Sequence, residues 1–306
     1  MNGPEVSRPR WPRLRAELRD LIEVLLLPGL AAILPWGLCF RIFAKLARWR
    51  WLYRDAADRS LAQATAMGWV ADPAAWSAAR RLVTLVDHAD LYLARTRSDA
   101  WMRRHLDVDG TWDAAAGPQV LCTFHWGAGM WALRSLAASG LNAHMLVARL
   151  ERQQFRHRSI FYHYIKARTA AIAASLRNPT LDPLQDLRRL LAALRSGGQI
   201  VAAIDVPSDQ VSASLPVQIA GHTALVPRGL LKMAVEQRLP VSVFVTGIDL
   251  QTGRRFLRVR ALGVHDEVER LAAVVFSHLD LVIRENPAAW HLWSESPRFF
   301  RTEKSG

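Results

Sequence analysis

Apolar and polar positions change rhythm twice along this chain. Residues 24–40 carry no charge, residues 58–109 place apolar side chains at helical spacing, and from residue 119 onward short apolar runs alternate with amphipathic stretches. The run 119–124 is apolar with β-branched members and is bounded by Gly117-Pro118 and Gly127, which predicts a buried strand. Beyond it Met130, Trp131, Leu133, Leu136 and Ala137 line one side of a helix that Gly140 stops. Residues 143–148 read as a strand, followed by a polar stretch with Arg149, Arg152, Arg156 and Arg158 and a short apolar segment at 170–174. Asp182-Pro183 opens a helix carrying Leu184, Leu187, Leu191 and Leu194, Gly197-Gly198 ends it, and the strand 199–204 delivers Asp205. A further strand over 215–220 turns at Gly221, Pro227 starts a helix to about residue 238, and strand 240–245 pairs with 256–261 through the Thr252-Gly253 turn. A last helix covers 267–285.

This alternation argues an α/β sheet covered on both faces by helices. The part before it is different. In 58–109, Asp72-Pro73 reads as an N-cap with proline at the first helical position, and Trp76, Ala79, Val83, Val86 and Leu93 recur at near-helical intervals. The uncharged run 24–40 would reach roughly 25 Å as a helix, short of the ~30 Å hydrocarbon core, and Pro28 and Pro35 interrupt it. Arg8, Arg10, Arg13, Arg15 and Arg19 precede it; Arg41, Lys45, Arg48, Arg50 and Arg54 follow, with Trp36, Trp49, Trp51 and Tyr53 as interfacial anchors. The expectation is a kinked or dipping membrane anchor over 1–57 and one α/β domain over 58–306, the alternative being a buried helical hairpin.

The chain has 306 residues and a formal charge of +13, carried almost wholly by arginine, with lysine only at 45, 166, 232 and 304. That balance suits anionic headgroups, nucleic acid or an acidic carrier protein. The arginines are scattered and no nucleic-acid-binding motif appears, so no nucleic-acid partner is expected. Zinc spacing, a Walker loop and G-x-G-x-x-G are all missing, so neither metal nor cofactor is expected. Cys39 and Cys122 sit in apolar contexts as buried thiols, and three strand positions separate Cys122 from His125, so their side chains take opposite faces.

His125 lies between a strand tip and a helix start, where open α/β sheets place their chemistry. The residues around it and three later blocks form a pattern. F-H-W-G-A-G-M-W, then L-R-R-L-L-A-A-L-R-S-G-G-Q-I-V-A-A-I-D, then L-P-V-Q-I-A-G-H-T-A-L-V-P-R-G-L-L-K-M-A, and finally V-I-R-E-N-P-A-A-W-H-L-W-S-E-S-P-R-F, resemble the lipid A biosynthesis (lauroyl/myristoyl) acyltransferases of the lysophospholipid acyltransferase superfamily. The likeness covers roughly residues 20–300, in order. It implies a glycerolipid acyltransferase-like fold, a mixed central sheet flanked by helices after an N-terminal membrane-associated segment. It also implies an O-acyltransferase at the cytoplasmic face of a bacterial inner membrane. There an acyl chain would pass from acyl carrier protein to a hydroxyl of a lipid A-like acceptor.

In that family a His is followed, after four residues, by Asp or Glu, which orients the imidazole while it takes the hydroxyl proton. His125 matches the base; Met130 stands where the acid belongs. Asp205, Asp209 or Glu151 is then the substitute acid, or the His works unaided, or the chain is a non-catalytic paralogue that binds lipid or scaffolds a partner. The resemblance further assigns Arg149 to a lipid phosphate, Trp126 to a pocket wall, and Gly127 and Gly221 to the substrate side. It matches Trp290 and Trp293 to a closing aromatic block expected to pack.

Overall fold

The computed structural model describes residues 10–207, 209 and 213–300, so Arg8 and Lys304 lie outside the described residues. Helices come first: α1 (Arg10–Asp20), a π-helical stretch (Leu21–Leu26), α2 (Leu27–Ile33), α3 (Trp36–Leu46), α4 (Arg54–Ala66), α5 (Pro73–Thr96) and α6 (Asp99–Arg104). The sheet strands and their connections follow as β1 (Leu106–Asp109), β2 (Gln119–Thr123), α7 (Met130–Ala138), β3 (Ala143–Met145), α8 (Ser159–Leu176), α9 (Leu187–Arg195) and β4 (Gln199–Ala203). The chain closes with β5 (Ser214–Ile219), β6 (His222–Pro227), α10 (Gly229–Glu236), β7 (Val241–Ile248), β8 (Arg255–Gly263) and α11 (Val268–Glu285).

The protein is α/β, with a mixed six-stranded sheet in the order β1-β8-β7-β2-β4-β3 flanked by helices. Strands β7, β2, β4 and β3 run parallel, while β8 is antiparallel to β7 and parallel to β1. The middle strands are buried along nearly their whole length, every residue of β7 included, which is what continuous Val/Ile runs specify in a sheet covered on both faces. From β2 the chain crosses to β3 and returns to β4 on one side, then passes to β7 on the other. That reversal opens a crevice at the carboxyl end of β2.

Several expected elements change. Asp182-Pro183 leads into a turn, and the helix expected to open there, α9, starts only at Leu187. The stretch taken as helical up to residue 109 ends earlier, and Leu106–Asp109 pairs with β8 as an edge strand. Pro227 does not start a helix: it closes β6, which pairs antiparallel with β5, and α10 begins at Gly229. The apolar segment 170–174 belongs to the long helix α8.

The uncharged N-terminal run is divided. Leu34 is extended and Pro35 caps α3, so the run is broken there, whereas Pro28 lies within helical backbone continuous with the π-helical stretch, and no helix among the described residues is long and apolar enough to cross a membrane. Val24, Ala31, Trp36, Cys39, Phe40 and Phe43 are buried in the same core as the sheet, whereas Trp11, Leu14, Leu18, Leu26 and Ile33 are exposed. The N-terminal helices reach the sheet through β8. The Arg255 guanidinium, fully buried and paired with Asp90 of α5, lies 4.3 Å from the ring centroid of Trp36 and 4.0 Å from that of Trp131. Stacked between two indoles and held by a carboxylate, it joins α3, α5, α7 and β8.

The turn before β8 completes this contact. Trp36 Nε1 donates to the Gly253 carbonyl at 2.8 Å, and Gly253 has φ +73° with Phe40 so close that a Cβ would lie 2.6 Å from its ring. Gly253→Ala is therefore expected to lower stability by about 1–3 kcal/mol, adding a packing clash to left-handed backbone strain. Gly221→Ala, at φ +78° with open space around it, carries only the strain. Thermal denaturation of the two variants checks this, and equal losses would show that Phe40 does not constrain the turn.

Candidate active site

Register explains how two distant residues meet. β2 and β4 pair in parallel with Thr123 opposite Ala203, and the ladder continues one step through Ile204 N to Thr123 O at 3.0 Å. Residues 125 and 205, each two beyond its strand's last paired position, emerge side by side at the carboxyl edge of the sheet. His125 Nδ1 lies 2.9 Å from Asp205 Oδ1, and the His125 backbone N–H donates to both carboxylate oxygens at 2.9 Å. A third donor comes from the far end of the chain, the Trp290 indole N–H, 2.9 Å from Asp205 Oδ2. Asp205 and Trp290 are both wholly buried.

Because both oxygens of Asp205 accept N–H bonds, Nδ1 of His125 carries the proton and Nε2 presents its lone pair. Nε2 has no hydrogen-bond partner among the described residues, and 44% of the side chain is exposed. The site is thus a histidine with one nitrogen locked inward and the other offered outward. Burial alone would lower its pKa; the Asp205 charge and hydrogen bonds, with a smaller contribution from Asp87, outweigh that and raise it above the ordinary histidine value.

The backbone around His125 is clamped from the C-terminal loop. His291 N donates to His125 O at 2.7 Å, His291 Nε2 donates to Gly127 O at 2.6 Å, and Gly127 N donates to Ala289 O at 3.0 Å. Arg80 of α5 donates from Nη1 to Trp290 O at 3.2 Å and to His291 Nδ1 at 3.3 Å, and from Nη2 to His291 O at 3.2 Å. Burial, reinforced by Arg80, pushes His291 down to about 3, so it stays neutral and keeps this tautomer. On the other flank Ala128 N donates to Thr246 O at 3.0 Å. Gly127, at φ +71°, is required there, since a Cβ would stand 2.2 Å from the Thr246 carbonyl oxygen.

The remaining expected site residues fall elsewhere or serve differently. Trp126 is buried, donates to Asn286 O at 3.2 Å and tilts against Phe256 at 6.0 Å, so it packs the C-terminal loop onto the sheet. Arg149 is exposed beyond β3, two strands from β2 on the same sheet edge, and binds Gln185 Oε1 at 2.9 Å. Gly221 sits in the β5–β6 hairpin turn, which Asp280 of α11 holds through Ala220 N at 2.7 Å; it is not brought to His125. Asp209 is paired with Arg298 and Glu151 is exposed, so of the three candidate acids only Asp205 reaches the imidazole. Met130 is buried in the first turn of α7. Cys122 is buried, and burial pushes its thiol up to about 12, which removes it as a nucleophile. Two surface clefts, one along α1 lined by Trp11, Arg15 and Arg19 and one between β7–β8 and α11, lie apart from the dyad.

Sequence reasoning passed over Arg80 and His291 and gave Trp290 a packing role alone, whereas its indole N–H also binds Asp205. The signal for Arg80 was present: it stands four residues after Trp76 and three before Val83, inside the apolar stripe of α5. For Trp290 and His291, only the spatial arrangement distinguishes a bonding role from a packing one.

No family model matches this chain, and no curated protein matches it. The class is therefore defined by fold and geometry alone: an α/β protein with a buried-carboxylate/histidine pair at the sheet's central crevice.

Replacing Asp205 by Asn tests that electrostatic arrangement. Without the carboxylate only burial is left to act strongly, so the midpoint of His125 should fall from above the ordinary 6.5 to below it, read from ring NMR shifts against pH. The raised pKa also means that wild-type stabilisation from this pair is complete below about 6.5 and is lost as pH rises through the folded-state value. A variant titrating where the wild type does would disconnect Asp205 from the imidazole.

Proposed function

We propose that the chain is a membrane-associated O-acyltransferase of the lipid A lauroyl/myristoyl type, with His125 as general base and Asp205 as its orienting acid. The observation that carries this reading is the 2.9 Å contact between His125 Nδ1 and Asp205 Oδ1, because it supplies from β4 the carboxylate that Met130 cannot. Nε2 removes the proton from the acceptor hydroxyl as its oxygen attacks the thioester carbonyl. The tetrahedral intermediate then collapses, the carrier thiolate leaves and takes that proton, and His125 is neutral again. Asp205 stabilises the transient imidazolium. The peptide N–H groups of Gly127 and Ala128 already serve the Ala289 and Thr246 carbonyls, so they are not the donors that meet the developing oxyanion. The amino end of α7, which has no side-chain cap and opens at residue 130, carries the appropriate partial positive charge.

The lipid acceptor, the acidic acyl carrier protein as donor and a position on the cytoplasmic face of a bacterial inner membrane belong to the same proposal. The net charge of +13 supports both acidic partners. For the membrane, the supporting observation is the exposed apolar series Trp11, Leu14 and Leu18 on α1, continued by Leu26 and Ile33 beside Arg13 and Arg15. It fits a helix lying in the interface rather than crossing it. A non-catalytic paralogue has one observation in its favour, the methionine at 130, and the Asp205 contact answers it.

His125→Ala should abolish the acylated lipid, judged by lipid mass spectrometry of cells with and without each variant, since general-base catalysis contributes ~10² to 10⁴ in rate. Wild-type product from that variant would defeat the mechanism. Met130→Glu should give no gain, because the imidazole already has its acid and position 130 is buried; a clear gain would show that Asp205 does not do the orienting.

Membrane docking has its own check. Full-length protein should sediment with vesicles containing anionic phospholipid and stay bound in high salt, and Leu14→Asp with Leu18→Asp should release it. Release of the wild type by salt alone would show that charge and not apolar insertion holds it.

A further inference from the structure

The Asp205 carboxylate is fully buried, and its side-chain and backbone bonds are to three N–H groups, not to a cation. Two of them belong to His125. The third, Trp290 Nε1–H, is the one restraint from outside His125 among the described residues, reaching Oδ2 at 2.9 Å from a residue 85 positions away. Trp290 cannot itself shift easily. Its ring makes edge contacts with Trp293 at 5.0 Å and Phe299 at 5.6 Å, its carbonyl accepts from Arg80, and Trp126 bridges to it across the strand tip. A donor held this firmly against one oxygen leaves the other oxygen aligned with the imidazole.

We propose that Trp290 is a positioning residue of this site, its indole N–H fixing the carboxylate that in turn orients His125. The inference rests on His125 being the base proposed above. Trp290 is then more than packing: with the motif acid absent at 130, the acid that replaces it stands on a neighbouring strand and depends on the C-terminal loop for its orientation. That loop is locked by Arg80 and His291, so an α5 arginine and the closing aromatic block act on the chemistry without touching substrate.

Electrostatics give this role a sign. The groups facing His125 are Asp205 at the end of β4, Asp87 of α5 with its partner Arg168 of α8, and the neutral His291 with Arg80 behind it. The indole dipole points its positive end at Asp205 and so works against a positive charge on His125. Losing the dipole alone would raise the His125 midpoint, but losing the alignment acts the other way: a loosened Asp205 leaves burial to dominate, so deleting the N–H while keeping the ring should lower it. A tryptophan that only fills space predicts no move when its ring shape is kept.

The test follows the His125 ring by NMR as pH changes, in the full chain, with Trp290→Phe and with benzothienylalanine at 290, which keeps the indole shape and has sulfur in place of the N–H. The expected result is a downward move of about one unit or less, the share of one charged hydrogen bond that reaches the neighbouring ring. In an Asp205→Asn background the same replacement should produce no move. An unchanged or raised midpoint in the benzothienyl protein overturns the proposal, and that variant serves where Trp290→Phe fails to fold. Because the titration is read without turnover, a lowered midpoint in a protein that transfers no acyl chain would sink the acyltransferase reading and leave the role of Trp290 standing.

Discussion

The buried carboxylate of Asp205 is the constraint around which the functional end of the molecule is built. An ionised group with no exposure must have its lone pairs met, and here they are met by the backbone and ring of His125 and the indole of Trp290. Those donors come from three separate parts of the chain. Satisfying one acid therefore requires β2 and β4 to pair in the observed register and the loop after α11 to fold back over both. A slip of one residue between β2 and β4 would turn His125 or Asp205 to the other face and leave the carboxylate unpaired. The site and the sheet are specified together.

The N-terminal half obeys a related rule with a cation in place of the acid. Arg255 is as deeply buried as Asp205, and it is met by Asp90 and by the faces of Trp36 and Trp131. This explains why an uncharged run that looks like an anchor is partly interior. Trp36 and Phe40 of α3 are needed against β8 and the Gly253 turn, while Leu26 and Ile33, on the preceding helical segments, stay exposed. Apolar content alone cannot say which side of such a run is core, since both sides are equally hydrophobic in the sequence.

Where the period and the boundary residues agreed, the fold was legible. β2, β4, β7 and α11 are found within a few residues of their expected bounds, because Gly-Pro and Gly-Gly punctuation and unbroken Val/Ile/Ala runs leave little alternative. The failures have particular causes. β1 is an edge strand with three of its four residues exposed, so no apolar pattern marks it. β6 ends in Pro227, whose missing N–H reads equally as a helix start or as the closing residue of a hairpin strand. In α8 only Tyr164, Ala171 and Leu176 are buried, and polar residues interrupt every face, so its periodicity is faint. His125 and Asp205 were each visible as residues delivered by strands; their contact was not, because parallel pairing joins positions 80 apart and nothing local encodes the partner.

An acid on a different strand from the histidine sets what the pair depends on. A carboxylate at position 130 would ride on the first turn of α7 and move with the histidine. Asp205 instead projects from β4, so the Nδ1 contact is only as constant as the β2–β4 ladder and the Trp290 bond. That ladder is buried along both strands but for their last residues and is flanked by β7 and β3. The imidazole is thereby held from inside the sheet, and position 130 is released to an apolar side chain that joins the core. The charge that orients His125 thus has a rigid source away from position 130, and the C-terminal loop, remote in sequence, becomes part of the geometry of the pair.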